Sequence, residues 1–259
     1  MTERKAIFIT GGGSGIGRAT AQFFADQGWF VGVADIQEAG IAETRAMLPA
    51  NQSSGHVMDV RHREDWQRAL ADFIAQTGGH LDVLFNNAGI AGGGWFGATP
   101  PDVIDRTMDI NFRGMVYGAE AAFPYLKATP DACLLNTASA AALYGTPKAA
   151  VYSATKFAVR GLSEALDAEW RRDGIKVRCL MPSFIDTPLL DAPVSGTNRN
   201  ARQDVQRSKL EFTPVEAVAQ AAWDAVHGDK IHWPVGKTAK QLAFSARWMP
   251  GSLRKRFTK

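Results

Sequence analysis

Cysteine is nearly absent from this chain: there are two in 259 residues, Cys133 and Cys179. Both lie in short apolar runs, so they read as small core residues and not as a disulfide framework or a metal-ligand pair. No apolar run is long enough to cross a bilayer. The opening MTERKAIFIT lacks the hydrophobic centre and small-residue cleavage site of a signal peptide, and the expected location is the cytoplasm. Internal repeats and low-complexity linkers are missing too, which leaves a single large domain as the simplest organisation. Acidic residues are missing from one region only: 237–259 carries seven lysines and arginines and no aspartate or glutamate. Taking those seven from the total of 29 leaves the first 236 residues with 22 basic against 26 acidic side chains. The basic character therefore belongs to the tail, and nucleic-acid binding by the body is not expected.

What is present is ordinary globular material, 46% hydrophobic and 21% charged, arranged in a βαβ rhythm. KAIFIT, WFVGVAD, GHVMDV, LDVLFNNAG, ACLLNTAS, KVRCLMP and KIHWPV read as strands. Helical patterns fall around 15–27, 37–48, 63–77, 100–128, 152–173 and 214–228. The expected fold is α/β: a doubly wound Rossmann-type domain over 1–236, with a seven-stranded, mostly parallel sheet and helices on both faces. The long irregular segment 183–212 follows the sixth strand, beyond the carboxyl end of the sheet where ligands bind, and reads as a lid. Residues 237–259 read as a basic amphipathic tail.

Directly after the first strand comes TGGGSGIG, with Gly11, Ser14, Gly15, Ile16 and Gly17. A glycine turn lets backbone approach a pyrophosphate, and the helix start supplies N–H donors to it. The second strand ends in Asp35, placed to accept hydrogen bonds from the adenosine ribose. A 2′-phosphate would meet that carboxylate with like charge. Ser14 and Ile36 stand where an arginine or lysine would neutralise it, so NAD is expected over NADP. Asp59, followed by Val60, ends the third strand near the adenine. Further on, Tyr152 and Lys156 lie one helical turn apart and share a face. A free phenol has a pKa of roughly 10, and a neighbouring ammonium is expected to lower it toward the working range.

In combination these motifs resemble the short-chain dehydrogenase/reductase family, in its single-domain form, over roughly residues 5–236. The resemblance rests on Thr10, Gly11, Gly15 and Gly17, on NNAG at Asn86 to Gly89, and on Asn111, Ser139, Tyr152 and Lys156. It implies a catalytic tetrad of Asn111, Ser139, Tyr152 and Lys156, cofactor contacts from Asn87, Ala88 and Gly89, and nicotinamide contacts from Pro182, Ile185 and Thr187. In that reading Tyr152 exchanges the substrate proton, Lys156 also meets the nicotinamide ribose, Ser139 steadies the substrate oxygen, and Asn111 holds a relay water. Ser183 departs from the family, which has glycine there, and puts the local backbone shape in question. The helices around 112–127 and 152–173 are those that usually build a homodimer or homotetramer.

The fold is expected to bring Trp95, Phe96, Leu143, Tyr144, Phe184, Leu189 and Leu190 near the reacting carbon, which suggests a bulky apolar or aromatic secondary alcohol or its ketone. Arg199, Arg202 and Arg207 are candidates for an anionic substrate group or for plain solvated charge. The tail either docks beside the cleft or a subunit neighbour, or lies on an anionic membrane. Two other functions remain open. An epimerase or dehydratase would use the same Tyr-Lys chemistry, but in a longer chain. A nonenzymatic NAD sensor or scaffold would not need Tyr152.

Overall fold

The structure, a computed structural model, describes residues 4–208 and 210–257. Seven parallel strands form the central sheet in the order β3-β2-β1-β4-β6-β7-β9. They are β1 (Ala6–Thr10), β2 (Phe30–Asp35), β3 (Ser53–Val57), β4 (Val83–Asn86), β6 (Cys133–Thr137), β7 (Lys176–Pro182) and β9 (His232–Val235). The order reverses between β1 and β4, which opens the crevice where such sheets take ligands. A two-stranded ribbon, β5 (Gly93–Gly94) with β8 (Val194–Ser195), ties the segment after β4 to the lid.

The inner strands β1, β4 and β6 are buried along their whole length because both faces are covered, whereas the edge strands β3 and β9 are not. Along β1, Ile7 and Ile9 point into one core with Phe24, Trp29, Val218 and Val226, from α1 (Gly15–Asp26), its flank and α8 (Val215–His227). Phe8 points into the other core with Trp66, Leu70 and Phe73 of α3 (Arg63–Gln76), and with Leu126 of α5 (Gly114–Ala128) and Trp170 of α6 (Ala150–Trp170). Between β2 and β3 lies α2 (Glu38–Ala46). Cys133 and Cys179 are buried, free thiols in β6 and β7.

The seven expected strands all form. The third lies earlier than GHVMDV, at Ser53–Val57, because its pairing with β2 ends at Asp35 opposite Val57. The single helix expected over 100–128 is α4 (Pro101–Met108), a π-helical turn at Asp109–Arg113, and α5. The lid region has structure of its own. It contains a 3₁₀ turn at Pro188–Asp191, β8, and α7 (Ala201–Arg207), whose start is a capping box of Asn200 and Gln203. The guanidinium of Arg202 pairs with Asp186 and Asp191 and holds the lid together. The tail forms α9 (Lys237–Trp248) and α10 (Pro250–Phe257), with Ala239 and Leu253 buried.

Candidate functional site

The turn from β1 into α1 is built for close backbone approach. Gly11 and Gly15 have φ of 65° and 50°, the left-handed region that favours glycine. A Cβ on Gly17 would collide with the Gly11 carbonyl oxygen. Gly17 therefore shapes the turn and does not line the cavity, which corrects its expected contact with the cofactor. The Thr10 hydroxyl accepts hydrogen bonds from the amides of Asn87 and Ala88, both at 3.1 Å, and Asn87 Nδ2 donates to Thr10 O at 3.0 Å. The turn is thus locked to the end of β4. Ser14 makes no side-chain cap on α1, leaving the first amides of a twelve-residue helix free to meet an anion.

At the far end of this turn Asp35 is oriented by two backbone amides, Gly13 N to Oδ2 and Gln37 N to Oδ1, each at 3.0 Å. Ile36 beside it is exposed. Asp59 lines the same cavity, but its carboxylate is taken by Arg61, whose hydrogen bonds hold it below the usual aspartate range. Sequence reasoning missed Arg61, and also Arg18, which braces the turn through Gly13 O, Thr44 and Glu43. Neither stands in a recognisable motif.

Tyr152 and Lys156 project from the first turns of α6. Lys156 is buried and its Nζ donates to Thr137 O at 2.8 Å, at the end of β6. The same Nζ lies 5.7 Å from the centre of the Tyr152 ring. Ser139, two residues beyond β6, accepts from Ala141 N at 3.1 Å and hydrogen-bonds the phenol. Asn111 sits in the π turn, its Oδ1 accepting from Ile90 N at 2.8 Å and its Nδ2 donating to Ile90 O at 2.9 Å. A Cβ on Gly89 would lie 3.2 Å from Asn111 Oδ1 and 3.6 Å from Lys156 Nζ, so these groups converge over Gly89. Behind them, buried Asn136 links Asn86 to Ser163. Those supports carry no spacing signal and were not foreseen.

The electrostatics differ from the sequence expectation. In the cofactor-free chain the Tyr152 phenol is pushed up, not down, because burial disfavours its anion; the Ser139 hydrogen bond opposes that only in part. Burial also lowers Lys156, to about 8. Loss of solvation is the leading cause of both shifts.

These residues open into one cavity of about 1570 Å³. That exceeds the roughly 300–1,000 Å³ typical for one small ligand, and leaves room for a dinucleotide and a second molecule. Apart from Gly17, every residue expected to touch the dinucleotide lines it, Pro182, Ile185 and Thr187 included. Thr187 closes over the helix start, 3.1 Å from where a Gly15 Cβ would stand. Ser183 keeps an ordinary backbone: among the described residues only Asn51, Asp131 and Lys148 have positive φ without being glycine. Its hydroxyl pairs with Thr213 at 3.3 Å.

Of the expected substrate contacts, Ser139, Phe184, Leu189 and Leu190 line the cavity, whereas Trp95, Phe96, Leu143 and Tyr144 do not. Trp95 and Phe96 stand in solvent beyond β5, with Trp95 covering the Lys148 ammonium at 5.4 Å. The 3₁₀ turn after Ser139 carries Leu143 into a core with Met115, Val159 and Met181. Arg199 and Arg207 line the cavity, while Arg202 is committed to the lid. The outer wall comes from Leu242, Phe244 and Leu253 of the tail, which lies beside the cleft, one of the two placements expected for it.

The glycine cradle, the uncapped helix start and the fixed Asp35 together fit a dinucleotide, and fold and site define a Rossmann-type protein with a buried Tyr-Lys pair. The short chain dehydrogenase family model matches residues 5–197, and the chain belongs to the short-chain dehydrogenase/reductase family. It is an oxidoreductase of that family, using a nicotinamide cofactor. SadH of Mycobacterium tuberculosis, described as an oxidoreductase, is 32% identical, over 96% of this chain and 92% of that protein. Meso-2,3-butanediol dehydrogenase of Serratia marcescens is 32% identical, over 71% of this chain and 73% of its own length. A short-chain dehydrogenase/reductase of Burkholderia phymatum in complex with NAD matches with a TM-score of 0.83 and 26% identity, covering 99% of this chain and 97% of that one.

Proposed function

We propose that the chain is an NAD(H)-dependent dehydrogenase of secondary alcohols, or reductase of the matching ketones, acting on a bulky apolar substrate. The observation that carries this reading is the Tyr152, Lys156 and Ser139 cluster at the floor of a cavity whose other end is closed by the fixed Asp35 carboxylate. The relative named for a butanediol supports the secondary-alcohol part of the reading, though not the bulk of the substrate, and the solved neighbour holding NAD supports the cofactor. When bound, the nicotinamide supplies a hydride acceptor or donor and, in its oxidised form, a positive charge. During oxidation Tyr152 takes the hydroxyl proton of the alcohol as hydride leaves the carbinol carbon; during reduction the neutral phenol returns that proton to the new alkoxide. Ser139 orients the substrate oxygen. Lys156, anchored on Thr137 O, keeps an ammonium beside the phenol, and Asn111 fixes the backbone at Ile90 around them. A homo-oligomer built on the outer faces of α5 and α6 also belongs to this proposal. Phe157, exposed on α6, supports it, and a single-chain mass in light scattering would overturn it.

The test is NAD-linked and NADP-linked turnover of aliphatic, aromatic and steroidal secondary alcohols, with Tyr152→Phe in parallel. The expected result is turnover with NAD, reduced about 10²-fold or more by Tyr152→Phe while NADH binding is retained. Turnover only with NADP, or full activity in the variant, would overturn the reading.

A further inference from the structure

Helix α9 presents two faces. Ala239 is buried and Leu242 and Ser245 are half-buried against the cavity, whereas the exposed positions are Lys237, Lys240, Gln241, Phe244, Arg247 and Trp248, of which Lys240, Gln241 and Phe244 also rim the cavity. Their spacing of three and four residues is one continuous helical stripe. It carries three cations and two large aromatics, with Phe244 58% and Trp248 66% exposed, and Met249 follows, 46% exposed. An ordinary surface helix keeps such aromatics on its inner side. The stripe also borders the opening of the substrate cavity, since Lys240 and Phe244 belong to both, and exposed Leu189 lies on the lid side of the same cavity.

We propose that this stripe docks on an anionic lipid surface, with the cavity opening turned toward the lipid. The argument is charge complementarity joined to exposed apolar area. No acidic residue occurs from 237 onward, so the tail itself carries nothing that repels an anionic headgroup layer, and the Glu211 carboxylate at the start of α9 accepts a hydrogen bond from the Lys237 amide. Phe244, Trp248 and Met249 supply the apolar contact that charge attraction to a purely polar polyanion would leave wet. No helix among the described residues is long and apolar enough to span a membrane, so the contact is interfacial. The benefit to a bulky apolar alcohol, which partitions into lipid, rests on the function proposed above; the docking itself does not.

The test uses the full chain and needs no turnover. Protein is sedimented with vesicles of phosphatidylcholine alone, or of phosphatidylcholine and phosphatidylserine in equal parts, at low and high salt. The expected result is sedimentation with the anionic vesicles only, reversed by salt. Both Trp248→Ser and the double variant Lys237→Glu, Arg247→Glu lie outside the cavity lining. Each is expected to lower vesicle affinity at least about tenfold, with NADH binding and thermal unfolding unchanged. Sedimentation with neither vesicle, equal sedimentation with both, or unaltered affinity in the variants would overturn the proposal. So would a parent that ignores vesicles but whose particle mass halves on Trp248→Ser, because the stripe would then be a contact between two copies of the chain.

Discussion

Burial sets the protonation state of the reacting residues. Tyr152 is held above the ordinary phenol value, so the free protein presents a neutral phenol at physiological pH, the form that donates a proton. Reduction is expected to run evenly through neutral pH, while oxidation, which needs the phenolate, rises with pH. The Ser139 hydrogen bond lowers the phenol. Removing it in Ser139→Ala raises the phenol further, and the acid limb of the kcat/KM profile for oxidation is expected to move to higher pH. A profile that loses height without moving would contradict this. His56 gives a separate prediction. Burial lowers it to about 4, so between there and the ordinary histidine value of 6.5 the unfolded chain binds a proton that the folded chain refuses. Stability therefore falls as pH drops through that window, by on the order of 3 kcal/mol from this residue. Urea midpoints followed from pH 7 to 4 should show that slope shrink in His56→Gln.

At the scale of elements, the π turn at Asp109–Arg113 matters most. It puts Asn111 against Ile90, where one side chain satisfies both a backbone N–H and a C=O in the segment after β4. Asn111→Ala leaves both groups unpartnered, and the expected cost is about 2–4 kcal/mol. Thermal unfolding should drop by several degrees together with activity, and an activity loss at unchanged stability would show that Asn111 acts on the chemistry alone. The sequence hides this turn because DINFR continues an ordinary helical pattern, and the extra residue appears only when α4 is packed against α6 and α5 against β4. The inner strands were legible because both their faces are buried and an uninterrupted apolar run suffices to mark them. TGGGSGIG and the Tyr152 to Lys156 spacing were legible because steric and angular demands fix residue types locally. The direction of the Tyr152 shift was not, since desolvation depends on neighbours from β6, the lid and the tail. The same holds for Leu143, whose side is set by a 3₁₀ turn, and for α9, whose stripe becomes meaningful only once its inner face has a cavity to cover.

Across the whole molecule, the carboxyl ends of the strands gather nearly everything that can act. The glycine turn, Asp35, Asn87, Ser139 and Thr187 follow different strands yet border one cavity. The family-matched stretch ends at residue 197, so the cofactor cradle and the Tyr-Lys pair fall inside it, whereas α7, α9 and α10 fall outside. Under the function proposed above, the matched stretch would carry the hydride chemistry, and the tail and α7 would add to the choice of substrate. Exchanging 198–259 for the matching stretch of SadH should leave NADH affinity within about threefold while reordering substrate preference, read from kcat/KM across the alcohol panel. If the exchange behaves so, specificity could drift through the last quarter of the chain without disturbing the chemistry, and a single scaffold would have many possible diets.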